Sequence, residues 1–291
     1  MLTEPSASLR DEPPSEWTET QAVGRRACLE LVFGEQHGRT ILEHVRVESP
    51  LKITRPYHPD SSGVAQLLLM SPAPGIFGGD DWTLRIRVNS GAAVQIAAQG
   101  ALRVHPDSQN QVARLHLELQ VADGADLHWE MEPTIPFQKS RLYQSVRIHL
   151  APKARLFYWE AFCSGRVQHG ESWQFKELRQ DLQGWRGDEL LVAERYALRP
   201  QGRSPNPGYA PQESRYFASA LLQNPQVGAV LESGAGSADS QVRWALDTPV
   251  ENCGVVRMQA EDGIHFQRGK NHLRHTLIPQ TGGTVPHFRR G

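Results

Sequence analysis

The chain lacks the features that would assign it to several large functional classes. Its 31 lysines and arginines nearly balance 32 aspartates and glutamates, so it has no cationic excess of the kind that nucleic-acid backbones require. Its three cysteines are widely separated and odd in number, which predicts a reducing compartment and no disulfide framework. No apolar run approaches the ~18 residues that span a bilayer, and no signal-like segment opens the chain. We therefore expect a cytoplasmic protein without nucleic-acid or membrane partners.

Common catalytic motifs are absent as well. The chain contains no HExxH, CxxC or GxSxG sequence, no phosphate-binding loop and no dinucleotide fingerprint. His272 and His275 lie three residues apart in a segment with helical periodicity, where both could face one metal ion. Since no second cluster supports this pair, exposed surface is the favoured interpretation. The sequence predicts that the chain is not an enzyme.

A repeated pattern of alternating apolar residues is what the chain does have. Three units, over 84–96, 115–129 and 146–156, each read as strand, tight polar turn and strand, and they begin about thirty residues apart. Stacked units of this kind bury a shared face against their neighbours. We predict an all-β fold, mainly antiparallel, built from stacked hairpins in an elongated sheet assembly. A compact antiparallel sandwich would give the same spacing.

The ends of the chain differ from this central pattern. Residues 1–20 are rich in proline, serine and acidic residues and predict a disordered tail. Residues 21–291 are expected to form one β domain, with a possible subdivision in the glycine- and proline-rich connection near 200–210. Two short helices are predicted in the last third, near 226–233 and near 264–278.

Two carboxylates stand out from the strand pattern. Asp80 follows Gly75, Gly78 and Gly79, which indicate a chain reversal that needs positive φ or close backbone approach and that places a carboxylate at the head of a strand. From the spacing alone, a hairpin turn whose aspartate caps its own backbone is the favoured interpretation. Glu160 lies in an aromatic strand, and alternation places it beside Tyr158 on a face that predicts burial. A buried carboxylate requires a hydrogen-bond donor, a cation, here Arg166 or another nearby arginine, or a metal.

Several short motifs, in a fixed order, resemble the UreD (UreH) family of urease accessory proteins. They comprise Arg55-Pro-Tyr57, Gly78-Gly-Asp80, Gln99-Gly-Ala101, Pro133-Thr-Ile-Pro-Phe137, Trp159-Glu160, Gly165-Arg166 and Gly170-Glu171. The resemblance implies an all-β maturation factor, or chaperone, that binds the urease apoprotein and carries UreF, through which UreG is recruited. It also implies nickel insertion during metallocentre assembly, with nickel in transit and no tightly bound cofactor.

The resemblance also implies roles for particular residues. Isolated carboxylates suit a nickel conduit better than a histidine and cysteine cage, because a conduit must release the ion. Transient nickel passage is therefore predicted at Asp80, Glu160, Glu171 and Glu194. UreF is predicted to dock on the last helix, through the following residues: His265, Phe266, His272, Leu273, His275, Leu277 and Ile278.

Two other functions remain open on the sequence alone. A β-sandwich module that binds a small ligand, carbohydrate for example, would account for the seven tryptophans. A metal-dependent hydrolase would use Asp80 and some of the twelve histidines. Stable binding of a small ligand would favour the first function, and a stoichiometric bound metal would favour the second.

Overall fold

The structure is a computed structural model, and it describes residues 24–106, 108–200, 214–223 and 234–280. The predicted tail over 1–20 lies outside the described residues. The same holds for 201–210 of the possible subdivision and for the helix predicted near 226–233.

Nineteen strands and one α-helix make up the described part of the chain. The first ten strands are β1 Arg26–Gln36, β2 Arg39–Val47, β3 Lys52–Ile53, β4 Ala65–Met70, β5 Ile76–Phe77, β6 Asp81–Val88, β7 Ala93–Ala98, β8 Leu102–His105, β9 Ala113–Val121 and β10 Asp126–Glu130. The remaining elements are β11 Thr134–Pro136, β12 Arg141–Leu150, β13 Arg155–Cys163, β14 Glu177–Arg186, β15 Glu189–Leu198, β16 Tyr216–Gln223, β17 Gly234–Asp239, β18 Val242–Val250, β19 Cys253–Ala260 and α1 Gly263–Gln280. A single 3₁₀ turn, Val167–His169, lies between β13 and β14.

The strands form two sheets. Sheet A has the order β15-β14-β12-β9-β6-β1-β2, and its five central strands β14, β12, β9, β6 and β1 are parallel to one another. The longest path in sheet B is β17-β18-β19-β16-β13-β10-β7-β4-β3, in which β4, β7, β10 and β13 are parallel. Antiparallel strands flank both parallel centres.

The prediction of a mainly antiparallel fold of stacked hairpins was wrong. In each thirty-residue unit the two strands enter different sheets: β6, β9 and β12 lie in sheet A, while β7, β10 and β13 lie in sheet B. Each strand therefore bonds to the equivalent strand of the next unit, in parallel, and each turn bridges the two sheets. The result is a β-solenoid-like arrangement. Alternation and a tight turn are common to both architectures, so the sequence pattern did not distinguish them.

The prediction of two short helices is corrected within the described residues, because the segment near 226–233 lies outside them and the helix near 264–278 is longer than predicted. The described residues contain one α-helix, α1, and it has 18 residues. Asp262 begins it, because its Oδ1 accepts hydrogen bonds from the backbone N–H groups of Ile264 and His265, both at 2.9 Å.

Two apolar cores hold the protein together. The larger lies between the sheets and is formed by the inward-facing residues of both, such as Leu31, Ile86 and Leu127. The smaller lies between the outer face of sheet B and α1, where Trp159 and Met258 meet Phe266 and Leu273. Sheet B is thus covered on both faces in this region. Within the described residues, no helix has the length and apolar character that crossing a membrane requires.

Candidate functional site

A cavity of about 890 Å³ lies between the sheets, and Glu160 lines it. Glu160 points inward from β13, on the same face as Tyr158, as strand alternation predicts. In sheet B the register aligns Glu160 with Ser219 of β16 and Ser219 with Arg257 of β19. These three residues form one transverse row facing sheet A.

A matching row comes from sheet A. The register aligns Gln144 of β12 with Gln180 of β14, and Gln180 with Tyr196 of β15. Glu194 lies two residues before Tyr196, on the same face of β15, and also lines the cavity. We refer to these groups together as the polar layer, which comprises Gln144, Tyr158, Glu160, Gln180, Glu194, Tyr196, Ser219 and Arg257.

Amide and hydroxyl donors surround the Glu160 carboxylate. Gln144 Nε2 donates to Oε2 at 3.0 Å, and Gln180 Nε2 donates to Oε1 at 2.8 Å and to Oε2 at 2.9 Å. Tyr158 Oη also donates to Oε2, at 2.6 Å. Glu194 is held separately, by Arg257 Nη2 at 2.9 Å. The hydrogen-bond partners of Glu160 are thus all neutral. The one ion pair of the polar layer joins Arg257 to the neighbouring carboxylate, Glu194.

The environment changes the acidity of Glu160. Glu160 is only partly buried, because it borders the cavity, but its carboxyl group is withdrawn from bulk solvent. This desolvation raises its pKa to about 7, and the negative charge of Glu194 acts in the same direction. The hydrogen bonds from Tyr158 and Gln180 and the charge of Arg257 oppose the rise. Glu160 can therefore change its charge near neutral pH.

This shift predicts a pH dependence of stability. In the unfolded chain the carboxyl ionises near its ordinary pKa of 4.5, whereas in the fold it stays protonated up to about 7. The contribution of Glu160 to stability is therefore full below pH 4.5 and is lost as pH rises through 7. Relative to Glu160→Gln, which does not titrate, we expect the free energy of unfolding of the natural chain to fall by about 3 kcal/mol over this range. Urea unfolding at several pH values measures the difference, and a pH-independent difference would contradict it.

Asp80 lies in a turn and does not line the cavity. Its Oδ1 accepts the backbone N–H of Arg25 at 2.8 Å, and its Oδ2 accepts that of Phe77 at 2.9 Å. The turn has the positive φ angles predicted for it, 149° at Gly75 and 90° at Gly79. Asp80 is 4% exposed, so both oxygens are used in fixing the start of β1 against the turn. These contacts favour a structural role, and nickel passage at Asp80 stays a prediction.

Replacing Asp80 tests that structural role. Asp80→Ala leaves two backbone N–H groups without their charged acceptor, and we expect it to lower the free energy of unfolding by about 2–4 kcal/mol. Asp81→Ala is the matched control, since the Asp81 side chain is 38% exposed and its Oδ1 lies 3.6 Å from His116 Nε2, beyond hydrogen-bond distance. We expect that control to change stability by about 0.5 kcal/mol or less. Equal effects of the two substitutions in urea unfolding would refute the assignment.

Glu171 is also outside the cavity. Arg166 holds it with both nitrogens of its guanidinium fork, one of them Nε at 2.8 Å, and the backbone N–H of Gln138 donates at 3.3 Å. This pairing lowers the pKa of Glu171. Arg166 is therefore the partner of Glu171 and not of Glu160. Nickel passage at Glu171 likewise stays a prediction, while Glu160 and Glu194 are the two predicted carboxylates that the fold brings together.

Most partners in the polar layer were not predicted from the sequence. A usable signal did exist for Gln144 and Gln180, because each is a polar residue at a core-facing position of a strand, between Leu142 and Val146 and between Leu178 and Leu182. Arg257 gave no such signal, since arginine is common on a solvent-facing strand position. Among the described residues, no group of three or more histidine, cysteine, aspartate and glutamate side chains is placed to hold a metal ion.

The predicted docking residues on α1 fall into two groups. Phe266, Leu273, Leu277 and Ile278 are at most 2% exposed, because they pack on the outer face of sheet B. His272 and His275 are exposed, and His265 is partly buried beside Asp262. The surface on which α1 lies is therefore the protein's own sheet. Docking of UreF at these positions is not tested by this arrangement.

The fold and the cavity define a β-solenoid-like protein with the polar layer in its interior. A family model for the UreD urease accessory protein matches residues 25–290. The urease accessory protein UreD of Deinococcus radiodurans is 32% identical over 271 residues, which cover 91% of this chain and 95% of the relative. That of Halalkalibacterium halodurans is 28% identical over 247 residues, covering 84% and 91%, and that of Klebsiella aerogenes is 27% identical over 263 residues, covering 90% and 94%.

The chain belongs to the UreD family of urease accessory proteins. The resemblance inferred from its short motifs is thereby confirmed. Family membership supports a role in urease maturation, and an accessory family is consistent with the expectation that the chain is not an enzyme.

Proposed function

We propose that the chain is a cytoplasmic scaffold for urease maturation that passes nickel through the cavity between its sheets. It binds the urease apoprotein, carries UreF, and through UreF receives UreG. It has no turnover of its own and keeps no tightly bound cofactor. The observation that carries the proposal is a cavity whose lining reaches exposed residues on both sides of Glu160.

The geometry of the lining supports passage rather than storage. On one side of Glu160 the lining reaches exposed Ser71 and Gly100, at the ends of β4 and β7. On the other side it reaches exposed Arg243 and Arg257, on β18 and β19. Four strand spacings separate β7 from β19, or roughly 19 Å. An ion that enters on one side must pass the polar layer to leave on the other.

The chemistry of the polar layer fits a divalent ion in transit. Ni²⁺ accepts carboxylate oxygens, and Glu160 and Glu194 supply them. The amide and hydroxyl donors on Glu160 and the guanidinium on Glu194 satisfy both carboxylates when no ion is present. Because an ion must displace these donors, it is bound weakly and can move on.

Co-purification with urease subunits, UreF and UreG tests the scaffold role. We expect the full chain to bring down urease apoprotein and UreF, and to bring down UreG only when UreF is present. Recovery of UreG without UreF would contradict the proposed order. Failure to recover urease subunits in any combination would remove the proposed function.

A small-ligand binding module is the second candidate, and the cavity itself favours it. A volume of about 890 Å³ is within the range of small-molecule sites, and much of the lining is apolar, including Trp82, Leu84, Leu117 and Trp129. A ligand that co-purifies with the chain and is seen by native mass spectrometry would support this function. Binding of urease subunits without any such ligand would support the scaffold.

A further inference from the structure

One end of sheet A carries a surplus of positive charge on its outer face. The five central strands are parallel, so their first residues lie side by side at this end. In the outward row the register aligns Arg26 with Asp81, Asp81 with Arg114, Arg114 with Tyr143, and Tyr143 with Arg179. We call this end of the sheet the basic edge, and define it by six cations: Arg26, Arg114, Arg141, Lys176, Arg179 and Arg199.

Few acidic groups balance these cations. Asp81 and Glu177 are the two acidic side chains at the same register positions. Glu177 is shared by three arginines, with Arg199 at 2.7 Å, Arg141 at 2.9 Å and Arg179 at 3.4 Å. One carboxylate cannot neutralise three guanidinium groups. The basic edge therefore keeps a formal surplus of four positive charges, and Arg179 and Arg199 remain 54% and 60% exposed.

The segment that precedes β1 has the opposite charge. Residues 1–23 contain five acidic side chains and a single arginine, a formal charge of −4. The chain enters β1 at the basic edge itself, where Asp80 holds the backbone N–H of Arg25 and where Gly24 lies against Gly79. The acidic segment is therefore attached within one residue or two of Arg26.

We propose that residues 1–23 dock on the basic edge and cover it. Charge complementarity and the point of attachment both favour this occupant over a partner protein. Five strand spacings, roughly 24 Å, separate β1 from β15. Glu19 is seven residues from Arg26, which spans about 23 Å when extended, so even the acidic residue nearest to β1 can reach most of the edge.

Covering the edge has a consequence for polyanions. An exposed surplus of four positive charges attracts nucleic acids and other polyanions through counterion release. The acidic segment competes with them at high effective concentration, because it belongs to the same chain. The segment thus acts as an intramolecular competitor that keeps other polyanions off the basic edge.

Zero-length carbodiimide cross-linking of the full chain, alone or in complex with its partners, tests the docking. Lys176 is an exposed amine at the basic edge, and Lys153 is also exposed, in the turn after β12 at the opposite end of the sheet. We expect cross-links from the acidic residues of 1–23 to Lys176 to exceed those to Lys153 several-fold, and to decline in high salt. Equal yields at the two lysines, or no dependence on salt, would overturn the proposal.

Elution from heparin gives a second readout that does not depend on cross-linking chemistry. A variant with Asp11→Asn, Glu12→Gln, Glu16→Gln and Glu19→Gln is expected to elute at higher salt than the natural chain. Adding Arg179→Gln and Arg199→Gln should reverse that shift. Unchanged elution of the first variant would refute docking. Loss of urease or UreF co-purification on neutralising the edge, with no cross-links from residues 1–23, would assign the edge to a partner and overturn the proposal.

Discussion

A chain in which Leu273 is replaced by aspartate is expected to lose about 5 kcal/mol of folding free energy or more, and to aggregate. Leu273 has no exposed surface and lies in the core between α1 and sheet B. The substitution removes a buried apolar side chain and puts an unpaired carboxylate in its place, which is among the most destabilising single changes known. A loss of this size is comparable with the whole stability of many domains.

The sheet beneath α1 explains why Leu273→Asp is expected to destabilise the whole protein and not α1 alone. The outer face of sheet B presents Phe157, Trp159, Leu222, Val256 and Met258 to the helix. Without α1 this apolar face would be open to solvent and to other chains. Truncation before Gly263 should therefore have the same result as Leu273→Asp, and not leave the sheets intact.

Charged side chains also fix α1 in place. Lys270 is 1% exposed and contacts Glu130 at 3.0 Å and Glu132 at 3.3 Å, while Arg274 Nε contacts Glu130 at 2.9 Å. Releasing the helix would leave the carboxylate of Glu130 without these partners. This loss adds to the free energy needed to detach α1 from sheet B.

Urea unfolding and gel filtration measure the effect of Leu273→Asp. His275→Ala is the matched control on the exposed side of the same helix, and we expect it to change stability by about 0.5 kcal/mol or less. A Leu273→Asp chain that unfolds like the natural one would mean that α1 does not need the sheet. If His272→Ala and His275→Ala together weaken UreF co-purification in a stable chain, the predicted docking on α1 would gain support for its exposed side.

Local features of the fold were predictable because they depend on neighbouring residues. Alternation identified the strands and the inward direction of Glu160, and the hairpin of β1 and β2 follows from Leu29, Leu31 and Phe33 before a glycine-containing turn. Positive φ at Gly75 and Gly79 followed from the spacing of glycine and aspartate. In each case the physical cause lies within a few residues of its effect.

Pairing partners were not predictable from the same pattern. A strand with one apolar face can bond to the next strand in a hairpin or to its equivalent thirty residues later, and its own residues do not decide between these. Gln144 and Gln180 meet Glu160 because three strands of two sheets converge, at sequence separations of 16 and 20 residues. The apolar stripe of α1 was visible in the sequence, but the surface that covers it was not.

Glu160→Gln is expected to reduce nickel-dependent activation of the cognate urease by about tenfold or more, the range seen when groups that tune a metal site are removed. The substitution keeps the volume of the side chain and an oxygen acceptor for the amide donors Gln144 and Gln180, so assembly with urease and UreF should be unchanged. What it removes is the charge that an ion in the cavity would meet. Urease activity and nickel content after activation, measured beside the yield of the purified complex, separate these two effects. Glu118→Gln, on the outer face of sheet A and outside the cavity, serves as the control.

The stability of the Glu160→Gln variant distinguishes a role of Glu160 in ion passage from a purely structural role. Near neutral pH the natural chain keeps a desolvated carboxyl group that ionises at a pKa of about 7, so Glu160→Gln should be as stable as the natural chain or more stable. A purely structural role for Glu160 would instead lower stability, assembly and activation together. A variant that folds and assembles normally while activation falls would support a carboxylate in the path of the ion and would exclude a purely structural role. Full activation by the same variant would show that nickel does not pass Glu160, whether or not the chain serves as a scaffold.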